Sequence, residues 1–200
     1  NHWSGSGESS KMELARLNVK TGMLIKSGGK LPLRYVDSSI VDAGGDLRVI
    51  AGAAVTDDKS DTSKQLWWRD TKTNEWRMVI DEKRDGKLVW PLWRKEGGDS
   101  FYVEVAESGR PNYLAVLDPN NGRLSPSYQP TTADIGGLLK KADRNDIFAV
   151  FSYDGSGRGG FVFLQPESNE AQMMKALAKE FPGELTAVTG FSDDAKYASV

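Results

Sequence analysis

Tyr113-Leu114-Ala115-Val116-Leu117-Asp118-Pro119-Asn120-Asn121-Gly122 is an apolar run that stops at a polar turn. The phrase recurs at Leu14-Ala15-Arg16-Leu17-Asn18-Val19-Lys20-Thr21-Gly22 and at Leu66-Trp67-Trp68-Arg69-Asp70-Thr71-Lys72-Thr73-Asn74. A worn copy stands at Phe161-Val162-Phe163-Leu164-Gln165-Pro166. The aligned positions Asn18, Asp70, Asp118 and Gln165 are 52, 48 and 47 residues apart. A second phrase, an acidic or glycine turn feeding a strand, begins at Gly45-Asp46-Leu47, Gly98-Asp99-Ser100, Asn145-Asp146-Ile147 and Ala195-Lys196-Tyr197. Its positions 46, 99, 146 and 196 are 53, 47 and 50 apart. Two independent phrases on one period of about fifty residues define a repeated four-stranded unit, the sequence mark of a β-propeller blade.

The expected fold is therefore all-β: a propeller of about four antiparallel blades in a partial ring. The repeats place the blades roughly at 1–45, 46–97, 98–144 and 145–200. Alternation and β-branched or aromatic content predict strands at 13–19, 23–27, 33–36, 47–55, 65–70, 75–80, 88–93, 100–106, 112–117, 146–152 and 160–164. Asn121-Gly122 and Asp85-Gly86 read as tight-hairpin dipeptides, because both residue types tolerate positive φ. One helix is inserted near 168–181: Ser168 or Asn169 caps it and Pro182-Gly183 ends it. Its Met173, Leu177 and Phe181 form one apolar stripe, expected to lie on a propeller edge.

The chain has 200 residues, 26 basic and 28 acidic side chains, and a net charge of −2, so bulk charge selects neither nucleic acid nor an anionic membrane. No apolar run approaches the length of a membrane helix. With no cysteine there are no disulfides, thiolate nucleophiles or cysteine metal sites. The sequence opens mid-phrase at Asn1 without Met and stops at Val200 inside an apparent strand, which reads as a piece of a longer protein. A Gly/Ser linker at the front is the alternative reading of the first ten residues.

Candidate chemistry is sparse. The only histidine is His2, near the terminus, a poor place to hold an imidazole between nucleophile and carboxylate. No Gly-x-Ser-x-Gly elbow occurs. Gly155-Ser156-Gly157-Arg158-Gly159-Gly160 matches a dinucleotide fingerprint in letters, but a strand rather than a helix follows, so it reads as a hairpin loop. Asp57, Asp58 and Asp61, and Asp118, Asn120 and Asn121, are oxygen-rich loops without the spacing of a calcium loop. Neither catalytic residues nor a cofactor or metal site are assigned within the segment. Trp67, Trp68, Trp76, Trp90 and Trp93 crowd one unit and are read mainly as filling between sheets. Regular alternation forbids Trp67 and Trp68 from facing the same way.

Phe181-Pro182-Gly183 followed by Val188-Thr189-Gly190-Phe191-Ser192-Asp193-Asp194-Ala195-Lys196 resembles the "FPG … S-x-D-G-K" passage of propellers in the prolyl oligopeptidase family of serine peptidases. Leu114-Ala115-Val116-Leu117-Asp118-Pro119-Asn120-Asn121-Gly122-Arg123-Leu124 is similar to that family's blade phrase, with Trp90-Pro91-Leu92 and Val105-Ala106-Glu107-Ser108 as weaker likenesses. Ala195 stands where the family has glycine. The resemblance implies a non-catalytic cap segment that gates substrate access. Its partners would be a C-terminal α/β-hydrolase domain carrying the Ser-Asp-His triad, and the peptide substrate passing to it. It favours a periplasmic or secreted location over a cytoplasmic one, and no family catalytic residue has a matching position here. The alternatives are a stand-alone TolB-like propeller that binds a protein or ligand, and an enzyme, such as a carbohydrate-active one, built within the blades.

Overall fold

The computed structural model describes residues 15–26, 31–33, 35–53, 63–188, 190–192 and 196–200. The chain is mostly β, with strands paired antiparallel throughout. A hairpin of β1 (Ala15–Leu17) and β2 (Leu24–Lys26) comes first. The first full sheet runs β3 (Tyr35–Val41), β4 (Leu47–Ala53), β5 (Lys64–Arg69) and β6 (Trp76–Asp81), in that spatial order. A short helix α1 (Glu82–Asp85) leads to the second, β7 (Leu88–Arg94), β8 (Phe101–Ala106), β9 (Tyr113–Asp118) and β10 (Arg123–Tyr128). The third holds β11 (Ile135–Lys140), β12 (Ile147–Tyr153) and β13 (Gly159–Phe163), then helix α2 (Asn169–Glu180). A hairpin of β14 (Gly190–Phe191) and β15 (Ala198–Ser199) follows.

Each repeated phrase occupies a fixed place in these sheets. The first joins the third strand to the fourth: Asn18, Asp70 and Asp118 accept backbone bonds from Gly22, Asn74 and Gly122 at 2.8, 2.9 and 2.9 Å. Those donors have φ of 70°, 62° and 72°, the left-handed region that glycine and asparagine tolerate. The leading Asx oxygen also caps the turn, accepting from Lys20, Lys72 and Asn120 amides at 3.0, 2.7 and 2.9 Å. The second phrase closes the turn between first and second strands, with Asp42, Lys95, Lys141 and Ser192 amides donating to Asp46, Ser100, Asp146 and Tyr197 carbonyls. By this register β1–β2 is a third-and-fourth-strand pair and β14–β15 a first-and-second pair. In the third sheet α2 follows β13 where the others place a fourth strand.

Two turn expectations are corrected. Asp85-Gly86 is no hairpin: the Asp81 carboxylate caps the Lys83 and Arg84 amides, so one helical turn forms, and Gly86 ends it at φ 65°. Asn121-Gly122 does lie in a hairpin, but only Gly122 has positive φ, because the turn spans Pro119 to Gly122. Strands β10, β11 and β14 fall outside the expected strands, and β3 runs to Val41, five residues past the expected end at 36.

The sheets stack face to face in series. On β8 and β9, Phe101, Val103, Val105, Tyr113, Ala115 and Leu117 pack toward the first sheet, and Tyr102 and Leu114 toward the third. β7 runs against β3, β4 and β5, so the first strands of neighbouring sheets lie close together. Trp68 is buried between the first two sheets, with the Arg77 guanidinium 5.2 Å from its ring. Trp67 points to the opposite face, onto Leu33, Leu47 and Ile50. Each of the three larger sheets thus buries apolar side chains on both faces, a pattern of stacked blades rather than of a two-layer sandwich. No sheet among the described residues closes into a barrel.

Helix α2 begins as expected: Ser168 Oγ accepts from the Ala171 amide at 3.2 Å. Its apolar face is rotated from the expected stripe. Ala171 and Met174 are buried against the third sheet, with Met173 and Leu177 beside them, while Phe181 is 46% exposed at the C-cap. The helix ends at Glu180, so Phe181 no longer follows the helical spiral that the i, i+4, i+8 spacing assumed.

Candidate functional site

The first strands of the second and third sheets and of the last hairpin bring their ends together. Trp93 on β7, Leu138, Leu139 and Lys140 on β11, and Phe191 on β14 bound a cavity of about 370 Å³. The β11–β12 turn, including Arg144, completes its wall.

Trp93 organises this corner. Its indole Nε1 donates to the Arg144 carbonyl at 3.1 Å, and the Lys140 ammonium lies 3.4 Å from the ring centre. Arg94 donates to the same carbonyl at 3.2 Å and to Asn145 Oδ1 at 2.6 Å. The Arg144 turn is therefore held from the second sheet by two side chains. Lys141 is paired with Glu96 at 3.4 Å. Among the described residues, no carboxylate forms an ion pair with Lys140 or Arg144. Burial of the Lys140 ammonium, then the neighbouring Arg144 charge, lowers its pKa from the ordinary lysine value.

Arg144 itself sits at φ 56°, a conformation that costs a residue with a Cβ about 1 kcal/mol. The corresponding turn of the first sheet has glycine there. Gly45, at φ 79°, donates to the Asp42 carbonyl at 3.0 Å, as Arg144 donates to Lys141 at 2.9 Å. The third sheet thus carries a long cationic side chain where the backbone favours none.

A second polar group, shared by the second and third sheets, is occupied by contacts within the fold. Asp146 is buried, accepting from its neighbour Ile147 N at 2.8 Å and from Gln165 Nε2 at 3.0 Å. Lys95 Nζ stands 3.9 Å from Asp146 Oδ2 and 3.3 Å from the Tyr102 hydroxyl. Burial first, then the hydrogen bond and charge of Asp146, raise the Tyr102 pKa.

The sequence candidates are dispersed. His2 and the Asp57, Asp58 and Asp61 loop lie outside the described residues. Asp118, Asn120 and Asn121 bond within their own turn. Residues 155–160 form the β12–β13 hairpin, where Asp154 Oδ1 accepts from the Ser156 and Arg158 amides at 2.8 and 2.9 Å. No group of three His, Cys, Asp or Glu side chains among the described residues is arranged to hold a metal ion. Lys140 and Arg144 were not singled out in the sequence. The available signal was arginine in a turn whose first-sheet counterpart has glycine. Comparison with protein-family models, curated proteins and solved structures finds no match for the chain.

Proposed function

We propose that this chain is a non-catalytic propeller segment acting as the cap of a prolyl-oligopeptidase-like serine peptidase, narrowing access to a hydrolase domain. The observation that carries this reading is the series of meander sheets, each buried on both faces, with the first strands β3 and β7 side by side. Such packing suits blades set around an axis, whose narrow mouth selects short or unfolded peptides. The phrase from Phe181 to Lys196 and the blade phrase around Asp118 add the likeness to that family. The cap's contribution is steric selection and exclusion of water, with bond cleavage done by the partner domain.

The test is covalent labelling with a fluorophosphonate, which marks activated serines. The purified 200-residue chain should take up no label. The product of the full reading frame should take it up on a serine outside these residues and cleave proline-containing chromogenic peptides. Label within the chain, or a full-length product with no reactive serine, overturns the proposal.

A further inference from the structure

We infer that the cavity bounded by Trp93, Lys140, Arg144 and Phe191 binds a small monoanionic carboxylate with an apolar tail. The site stands whether or not a peptidase domain accompanies the chain.

Three observations converge. The cavity, about 370 Å³, is of a size that takes a small ligand. Its wall is apolar where Leu138, Leu139, Val188 and Phe191 line it, and cationic where Lys140 and Arg144 do. Both cations lack an acidic partner among the described residues, while their neighbours Lys141 and Lys95 have one. Lys140 is exposed but held over the Trp93 indole, so an incoming anion meets a cation already placed at the cavity wall.

Arg144 adds an independent reason. A residue in the left-handed region is strained unless it is glycine, and such strain collects at ligand sites. Trp93 and Arg94 fix the turn through the Arg144 backbone carbonyl. Arg144 is exposed and lines the cavity, and these backbone contacts do not use its side chain.

The wall is mixed, part cationic and part apolar, and that mixture points to the ligand class. A dianionic phosphate would use the two cations but leave the apolar part of the wall uncovered. A carboxylate carries one charge, pairs with the planar arginine fork, and brings an apolar tail that the wall can cover. The C-terminal residue of a peptide and a free aliphatic acid share this chemistry.

The full chain is titrated while the Trp93 indole N–H resonance is followed, assigned by its loss in Trp93→Phe. The ligands are acetyl-Ala-Leu with a free C-terminus, its C-terminal amide, hexanoate and inorganic phosphate. The free acid should shift the resonance saturably and bind at least about tenfold more tightly than the amide. Hexanoate binding as tightly as the peptide identifies a free-acid site, and weaker binding a peptide terminus; either is the inferred chemistry. Arg144→Gly keeps the turn, and Lys140→Met keeps an apolar stem on the indole. Each should weaken the acid about tenfold with melting unchanged or raised. Equal binding of acid and amide, tighter binding of phosphate, no shift with any ligand, or full affinity in both variants overturns the inference.

Discussion

Asp146 and Gln165, the landmarks of the two repeated phrases in the third sheet, are joined by a 3.0 Å hydrogen bond from the Gln165 amide to the buried carboxylate. The bond ties the first-to-second-strand turn to the end of the third strand. Gln165 Nε2 also donates to the Ile147 carbonyl at 2.9 Å, so the strand ends are clamped where α2 leaves the sheet. Lys95 brings its charge from the second sheet. Asp146→Ala leaves the buried Ile147 amide without its carboxylate acceptor and Lys95 without its counter-charge, and should lower unfolding free energy by about 1–3 kcal/mol. Asp146→Asn should cost less. Urea titration checks both, and an alanine variant as stable as the parent would show the cluster to be ornamental.

The same carboxylate predicts a spectroscopic change. Tyr102 titrates above the ordinary tyrosine range because it is buried and faces the Asp146 charge. Asp146→Asn removes the charge but not the burial. The ionisation of Tyr102, followed by phenolate absorbance against a Tyr102→Phe reference, should move down in the variant yet stay above an exposed tyrosine.

Gly52 is required by contact rather than by φ. A Cβ added there would lie 1.9 Å from the Tyr35 carbonyl oxygen, where the β3–β4 register shifts. That neighbour is backbone and cannot rotate away. Gly52→Ala should cost about 2 kcal/mol or more. Gly98→Ala is the control, with nothing within 4 Å of its Cβ, and should stay within about 0.5 kcal/mol of the parent. Melting temperatures measured side by side decide it.

The strand-and-turn grammar was legible because its chemistry is local. Asn18, Asp70 and Asp118 cap their own turns through bonds spanning two to four residues, and any copy of the phrase advertises the same hairpin. β11 was hidden because Gly136 and Gly137 spoil strand propensity. What makes Gly136 acceptable is tertiary: the Phe151 ring fills the space above Gly136 and Gly159, whose added Cβ atoms would lie 2.7 and 2.2 Å from it. β10 was hidden by Pro126 in a polar run, which suits an outer edge strand. The cavity was not legible, since Trp93 and Arg144 are 51 residues apart and meet only when the second and third sheets stack.

Acid should destabilise the chain through identifiable carboxylates. The Asp85 pKa is lowered chiefly by Arg84, and that of Glu107 chiefly by the Tyr113 hydroxyl 2.8 Å away. Burial pushes Asp42 up, but the Asp46 amide and Arg48 bring it below the ordinary value. Folded values below unfolded ones mean the folded state binds fewer protons. Their stabilisation is complete above the unfolded carboxylate range, near about pH 4–5, and is lost as pH falls through the folded values. Urea midpoints should therefore be flat from neutrality to about pH 5 and then decline. Glu107→Gln should shallow that decline, and an unchanged slope would remove Glu107 from the account.

The β1–β2 hairpin predicts how the isolated chain behaves. Leu17, Val19, Met23, Leu24 and Ile25 are each more than half exposed, and none joins a buried cluster of the described residues. By register the hairpin is a third-and-fourth-strand pair, and it presents exposed apolar side chains on short strands. Such a combination drives edge-to-edge association. Sedimentation velocity should show concentration-dependent oligomers. Leu24→Ser with Ile25→Ser should reduce them without lowering the melting temperature, because neither side chain supports the stacked sheets. A monodisperse parent chain across the concentration range would instead mean that these apolar residues are covered within the monomer.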